Sequence, residues 1–296
     1  MRILLAGGSG FLGSHLSDDL VAAGHAVTRL VRREPGPGEA PWDPYAARLD
    51  PALVDHSDVV INLAGSPTLG NPHSRRWAEE LRNSRVTTTR VLAEAVAASD
   101  RRPAFLAGNG ISFYGDHGDE PVGEDAETRG SAFLTEVTRV WQAATEPAAA
   151  AGARVCVLRT APVLDATIAP LRQQLLQFKA GLGGRIGSGA QYFPVISLRD
   201  WVGAVRFAAE DAGVSGPLNV CCPTTPTNAE FTRALATLVH RPAPFPVPAF
   251  VVRRAAGRMA AEVLGSVRAV PRALLDAGYR FADADVTAVL EAATAR

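Results

Sequence analysis

The chain opens on an unbroken apolar run, Ile3-Leu4-Leu5-Ala6, with no polar alternation. Such a run, bounded by glycine, reads as a strand buried on both faces, as in a parallel sheet. A helical pattern takes over from Phe11 to Ala23, Gly24 stops it, and a second strand is expected over 26–31. A polar Pro/Gly-rich passage to Pro44 and a short amphipathic piece over 51–56 follow. The two signatures then alternate: strand over 58–65, helix over 75–98, strand from Ala104, helix over 131–150, strand over 154–159. In the long helix Leu81, Val86, Leu92 and Val96 are apolar with charges elsewhere; in the next, Phe133, Val137, Val140 and Trp141 share one stripe. Beyond Thr160 the alternation loosens. Helices are expected over 168–180, 199–211, 228–240 and 283–293, with short strands over 191–197 and 218–221. Gly181, Gly183, Gly184, Gly187 and Gly189 crowd one passage between them.

Between the first strand and the first helix stand Gly7, Gly10 and Gly13. Strand, glycine turn, helix, strand is the first half of a dinucleotide-binding unit. Gly7 permits the tight turn, Gly10 lets backbone approach a pyrophosphate, and Gly13 lets the helix pack on the strand. The helix N-terminus offers unpaired N–H groups and partial positive charge to phosphate. The reading is therefore α/β: a Rossmann-type doubly wound parallel sheet with helices on both faces and a small C-terminal substrate lobe. Ser9, Phe11 and Leu12 lie among the glycines as further cofactor contacts. In this architecture ligands bind beyond the C-terminal ends of the strands, which brings in Asn62, Leu63, Ala64, Gly65, Gly108 and Arg159. Arg82 and Arg85 on the long helix either reach a phosphate or are solvated; Arg85 is carried as a candidate.

The end of the second strand selects the cofactor. NAD sites place an acid there for the ribose hydroxyls, whereas this strand ends Val31-Arg32-Arg33. A guanidinium suits a 2′-phosphate, so NADP(H) is favoured over NAD(H). The competing readings are that both arginines are solvated loop residues, or that Glu34 turns to the ribose. Arg29 is hard to place, because an inner strand should not carry a charge.

Length and charge narrow the picture. The 296 residues suit one large α/β domain or a domain plus a lobe, with the expected division at 1–160 and 161–296 in one compact unit. Thirty basic residues balance thirty acidic ones, so no global field recruits nucleic acid or a membrane surface. Cys156, Cys221 and Cys222 have neither disulfide-framework nor metal spacing and read as small core residues of a reducing compartment. No metal site is expected. With no signal peptide and no long apolar run, the expected location is cytoplasmic.

Taken together, these residues resemble the extended and atypical short-chain dehydrogenases/reductases, related to the NAD-dependent epimerases/dehydratases. More narrowly, the chain is similar to their "epimerase family", SDR family 39U. The resemblance rests on Gly7-Gly-Ser-Gly-Phe-Leu-Gly13, Trp42-Asp43-Pro44, Asn62-Leu-Ala-Gly65, Arg76-Trp77, Ser84-Arg85-Val86 with Thr89, and Tyr114-Gly115. Further matches are Phe133-Leu134 with Trp141, Gly181-Leu-Gly-Gly184, Gly187-Ser-Gly-Ala-Gln191, Asp200, Asn219, Asn228 with Phe231, Arg241-Pro242 and Gly278-Tyr-Arg-Phe281. It implies a Rossmann fold, NADP(H) binding and a cytoplasmic location. Typical members of the superfamily carry Tyr and Lys four residues apart on the helix expected here over 131–150. One helical face then holds both, and the phenol exchanges a proton with a substrate carbonyl. Here that pair reads Phe133 and Val137, and the partner Ser falls near Asn109 or Gly110.

Replacement chemistry has three candidates: Tyr114; Tyr192; and His117 with Asp116, Asp119 and Glu124 on a mobile lid. Asn109 is the expected hydrogen-bond donor to a carbonyl oxygen. Three functions follow: an NADP-dependent oxidoreductase or epimerase acting on a small molecule, a non-catalytic NADP-binding module, and a non-redox isomerase or lyase. The helices over 75–98 and 131–150 form a four-helix seam in many relatives, which suggests a homodimer; alternatively their apolar residues all face the sheet.

Overall fold

The computed structural model describes residues 1–295. In chain order the elements are β1 (Arg2–Ala6), α1 (Phe11–Ala22), β2 (Ala26–Val31), β3 (Glu39–Pro41), α2 (Pro51–Asp55), β4 (Val59–Asn62), α3 (Arg75–Ala98) and β5 (Ala104–Gly110). Next come β6 (Pro121–Val122), α4 (Phe133–Ala143), α5 (Glu146–Ala150), β7 (Val155–Thr160), β8 (Val163–Leu164), α6 (Leu171–Lys179), β9 (Ile196–Ser197), α7 (Leu198–Glu210) and β10 (Gly216–Val220). The chain closes with α8 (Asn228–Leu238), α9 (Ala249–Ala256), α10 (Ala260–Leu264), β11 (Arg268–Ala269), α11 (Arg272–Asp276) and α12 (Val286–Thr294).

Seven strands form one sheet in the order β10-β7-β5-β4-β1-β2-β3. The pairs from β3 to β5 run parallel, with Ile3 opposite Val27 on one side and Val59 on the other. Residues 3–6 are at most 1% exposed, which is why that segment reads as continuous apolar sequence; each such Leu contributes about 1.5–3 kcal/mol by burial. The order reverses direction at the β1/β4 junction. Right-handed crossovers therefore send α1 and α3 to opposite faces, and a crevice opens between the ends of β1 and β4. Gly24, at φ +85°, ends α1: its N–H reaches the Val21 carbonyl and the His25 N–H reaches that of Leu20, a Schellman pairing.

Arg29 finds its partner across the strand register. It faces Glu39 on the short edge strand β3, 3.2 Å from Nη2 to Oε1. The charge sits one strand from the edge, where it reaches solvent.

The chain separates into two compact units: 1–109, 137–158 and 204–218 in the first, 110–136, 159–203 and 219–296 in the second. This division differs from the expected cut near residue 160 at 110–136 and 204–218, and its boundaries fall within β5, α4, β7, α7 and β10. The first unit's core gathers Leu4, Leu30, Trp42, Val60, Leu92, Val96 and Phe105. The second has its own, built from Leu171, Phe178, Val195, Phe231, Leu235, Val289 and Leu290.

Two expected elements differ. The helix over 131–150 is two helices, since Pro147 has no N–H to continue a ladder and instead opens α5. The strand over 191–197 shortens to β9, because Tyr192 is drawn into a bridge with Thr227.

Candidate active site

The glycine turn closes on itself. The Gly10 N–H donates to the Gly7 carbonyl at 3.0 Å, and Gly7 sits at φ +82°, a conformation side chains resist. A Cβ on Gly13 would lie 2.1 Å from the Gly7 oxygen, and one on Gly7 would lie 2.6 Å from the Leu63 carbonyl carbon. The turn is thus pressed between α1 and the end of β4, and no side chain fits. No side chain caps α1 at Gly10, which leaves the first-turn N–H groups of Phe11, Leu12 and Gly13 to an outside acceptor. Ser9 and Gly10 are exposed at the tip. A cradle of bare backbone with an uncapped helix above it fits a pyrophosphate.

At the end of β2 the two arginines part company. Arg33 grips Glu39 in a two-pronged pair, Nη1 to Oε2 at 2.8 Å and Nη2 to Oε1 at 2.7 Å. The Arg33 hydrogen bonds hold the Glu39 carboxyl below its ordinary range. Arg32 is exposed and has no ion pair or hydrogen bond among the described residues. The structure therefore leaves Arg32 as the guanidinium open to a phosphate and commits Arg33, expected to share that task, to the fold.

The end of β4 is shaped by α3. Residues 81, 84, 85, 88 and 89 recur at helical spacing on one face of it. Asn62 is fully buried: Nδ2 donates to Thr89 Oγ1 at 2.9 Å and Oδ1 accepts from the Ala64 N–H at 3.0 Å. Its side chain thus moulds the turn and leaves contact with a ligand to the backbone of Leu63, Ala64 and exposed Gly65. Thr88 Oγ1 holds the Ala64 carbonyl at 3.1 Å, and the Trp141 indole donates to Thr89 at 2.8 Å. Arg85 donates to the Ser66 carbonyl and Thr68 hydroxyl and stacks on Trp141, 5.2 Å from the ring centre. Gly108 is buried beneath Trp141; a Cβ there would meet the indole at 3.3 Å. Asn109 is only 5% exposed, and its amide donates to the Thr138 carbonyl at 3.1 Å. That donor is directed into α4 rather than held out to a substrate.

In the second unit Tyr114 is fully buried. Its hydroxyl donates to Asn219 Oδ1 at 2.6 Å and accepts from Arg159 Nη1 at 2.7 Å. Burial pushes the phenol up to about 12. Arg159 is 3% exposed, donates also to the Glu124 carbonyl and lies 3.7 Å over the Phe113 ring. Tyr114, expected as a proton donor, and Arg159, expected as a cofactor contact, are thus joined in one internal network. Asn219 completes it, donating to the Val122 and Val270 carbonyls.

The expected lid is also tied down. The His117 N–H donates to the Ser266 carbonyl at 2.8 Å, the Ser266 hydroxyl donates to the Gly118 carbonyl, and β6 pairs with β11. His117 is itself buried, while Tyr192 packs under the Arg268 guanidinium. At the first turn of α4, Phe133 is half-buried and Val137 buried, and neither carries a proton. A group that sequence reasoning passed over stands there. Glu262 accepts from the Leu134 N–H at 2.5 Å through Oε1, while Oε2 is shielded and unpartnered. Burial pushes its carboxyl above the ordinary range. No local pattern announces a cap supplied from so far along the chain.

A groove of about 410 Å³ between α8 and α12, lined by Glu230, Arg233, Asp285 and Glu291 among others, holds none of the expected site residues. Among the described residues no His/Cys/Asp/Glu group could hold a metal. No described helix is long and apolar enough to cross a membrane.

Comparison with known proteins gives this geometry a family. Residues 3–221 match the NAD dependent epimerase/dehydratase family, and 247–293 match a domain of unknown function, DUF1731. The chain is 40% identical to Epimerase family protein Mb2239 of Mycobacterium bovis, over 99% of this chain and 98% of that protein. It is 36% identical to the Homo sapiens Epimerase family protein SDR39U1, over 98% and 99%. A crystal structure of human SDR39U1 (isoform 2) with NADPH superimposes with a TM-score of 0.87 at 34% identity, covering 99% of each chain. A UDP-glucuronic acid 4-epimerase from Bacillus cereus, at 17% identity and a TM-score of 0.75, shares the fold. The chain belongs to the NAD dependent epimerase/dehydratase family.

Proposed function

We propose that the protein is an NADP(H)-dependent oxidoreductase or epimerase-like enzyme that acts on a small carbonyl or hydroxyl compound without a Tyr-x-x-x-Lys pair. The observation that carries this reading is the bare glycine cradle under an uncapped α1, with Arg32 left unpaired at the end of β2. In this reading Gly7, Gly10 and the first-turn N–H groups of α1 hold the pyrophosphate, Arg32 holds the 2′-phosphate, and the 63–65 backbone borders the ribose. The human relative of known structure contains NADPH, which supports the choice of cofactor. The bound nicotinamide supplies hydride transfer. This chain's own residues orient it, exclude water and move a proton.

Asn109 and Tyr114 become positioning residues for α4 and for the 111–125 segment.

A screen of small aldehydes, ketones and sugars with NADPH, following its absorbance, tests the reading. Turnover by the wild type that requires NADPH and is lost in Gly13→Ala supports it. A second reading, a non-catalytic NADP(H)-binding module, is favoured by Phe133 and Val137 where a proton-transfer pair would stand. Tight NADPH binding with no turnover across the screen would favour that reading instead.

A further inference from the structure

Arg85 is a half-buried cation with no acidic partner among the described residues. A guanidinium has five N–H groups. Nη1 donates to the Ser66 and Leu81 carbonyls, each at 3.1 Å, and Nη2 donates once to Thr68 Oγ1 at 2.9 Å. Nε–H and the second Nη2 hydrogen have no acceptor among the described residues. Carbonyl dipoles do not neutralise a charge, and burial alone pulls the group down to about 10. A charge drawn partly out of water without a counterion still carries a cost, so its retention needs a reason.

Its surroundings supply one. The guanidinium lies against Gly65, where a Cβ would sit 3.3 Å from Cγ and 3.5 Å from Nη1. The approach from the exposed turn at the end of β4 is thus kept clear of side chains. Thr68 accepts from Arg85, which leaves its own proton to donate, and Ser66 Oγ lies 3.1 Å from Ser84 Oγ beside it. On the other side, stacking on Trp141 fixes the plane of the fork. A planar fork with hydroxyl donors beside it is the arrangement that takes an oxyanion. Arg154 makes the contrast. It too lacks a carboxylate, but its fork is spent on three backbone carbonyls, those of Ala208, Ala209 and Val214.

We propose that Arg85, with Thr68 and Ser66, forms an oxyanion subsite beside the end of β4 that takes a phosphate or carboxylate group. It deepens the proposed function and rests on its reading of this strand end as the ligand rim. The oxyanion has two sources, a phosphate of the dinucleotide or an acidic group of the substrate. The second makes the substrate an anionic carbonyl or hydroxyl compound.

Titration of the full-length protein with inorganic phosphate, at constant ionic strength balanced with chloride, tests this through tryptophan emission. Trp141→Phe identifies the reporter. The wild type should show a saturable change, at least tenfold weaker in affinity for Arg85→Gln and a few-fold weaker for Thr68→Val. No saturable change, or equal affinity in Arg85→Gln, overturns the subsite. If Arg85→Gln does not fold, unchanged phosphate affinity in Thr68→Val overturns it. Repeating the titration with saturating NADPH separates the sources. Phosphate binding that persists assigns the oxyanion to the substrate, and competition assigns it to the cofactor. Failure of NADPH to bind at all, seen separately by nicotinamide fluorescence, strikes the proposed function and not the phosphate site.

Discussion

Tyr114→Phe separates an internal strut from a catalytic phenol. The substitution removes one oxygen, and two buried partners lose their contact: Asn219 Oδ1 at 2.6 Å and an Arg159 N–H at 2.7 Å. Stranding a buried polar group costs about 1–3 kcal/mol, more when it is charged, so the pair should cost about 2–4 kcal/mol. With a urea m-value of about 3 kcal/mol/M for a chain of this size, the unfolding midpoint should drop by about 1 M. There is an alkaline signature as well. Burial moves the phenol from 10.0 to about 12 in the folded state. Between those values the unfolded chain binds fewer protons than the folded one, so stability falls as pH rises, by at most about 3 kcal/mol across the window. Below it the contribution is fully present. The Phe variant lacks that loss. Urea unfolding followed by circular dichroism at neutral and alkaline pH, with phenolate absorbance for the titration itself, reads both. A Phe variant as stable as the wild type, with turnover abolished, would refute the structural assignment and return Tyr114 to the chemistry.

Other outcomes follow from the same geometry. Gly13→Ala places a methyl 2.1 Å from the Gly7 oxygen, backbone against backbone; it should cost about 1–3 kcal/mol by overpacking and abolish NADPH binding, measured by thermal unfolding and nicotinamide fluorescence. Asp283 is raised by burial but more strongly lowered by hydrogen bonds from Arg199 and Ser197 and by the Arg199 charge. Its stabilisation is therefore present above the ordinary carboxylate range and lost as pH falls below it. Asp283→Asn should cost about 1.5–3 kcal/mol at neutral pH, and its stability, read by urea midpoints, should fall less on acidification than that of the wild type.

What the sequence revealed and what it hid divide along physical lines. The Ile3-to-Gly13 stretch was legible because each residue answers a local demand: apolar on both faces of β1, no Cβ at Gly7 or Gly13. The long α3 was legible from its period and from Ser74, which caps it by accepting from the Trp77 N–H. Arg29 was not, since its answer lies in the register of an edge strand ten residues on. The roles of Tyr114 and Arg159 were hidden because a strand end looks the same in sequence whether its side chains face a ligand or each other. Asn219, from β10, decides the matter, and no spacing rule links it to Tyr114. The contacts of the 116–122 segment were hidden for a similar reason, because two-residue strands such as β6 and β11 leave no periodic trace. Glu262 reaches α4 across more than a hundred residues, and only the fold brings it there.

The most direct test of the central claim is the affinity of the purified protein for NADPH and NADH, by nicotinamide fluorescence, in wild type, Arg32→Ala and Arg33→Ala. Arg32 is open and Arg33 is held by Glu39. Arg32→Ala should therefore weaken NADPH by about 1–3 kcal/mol, the scale of a charge-assisted contact, and leave NADH unchanged. Arg33→Ala should change the preference for NADPH little. Equal binding of both nucleotides by the wild type, or no binding of either, would contradict the account.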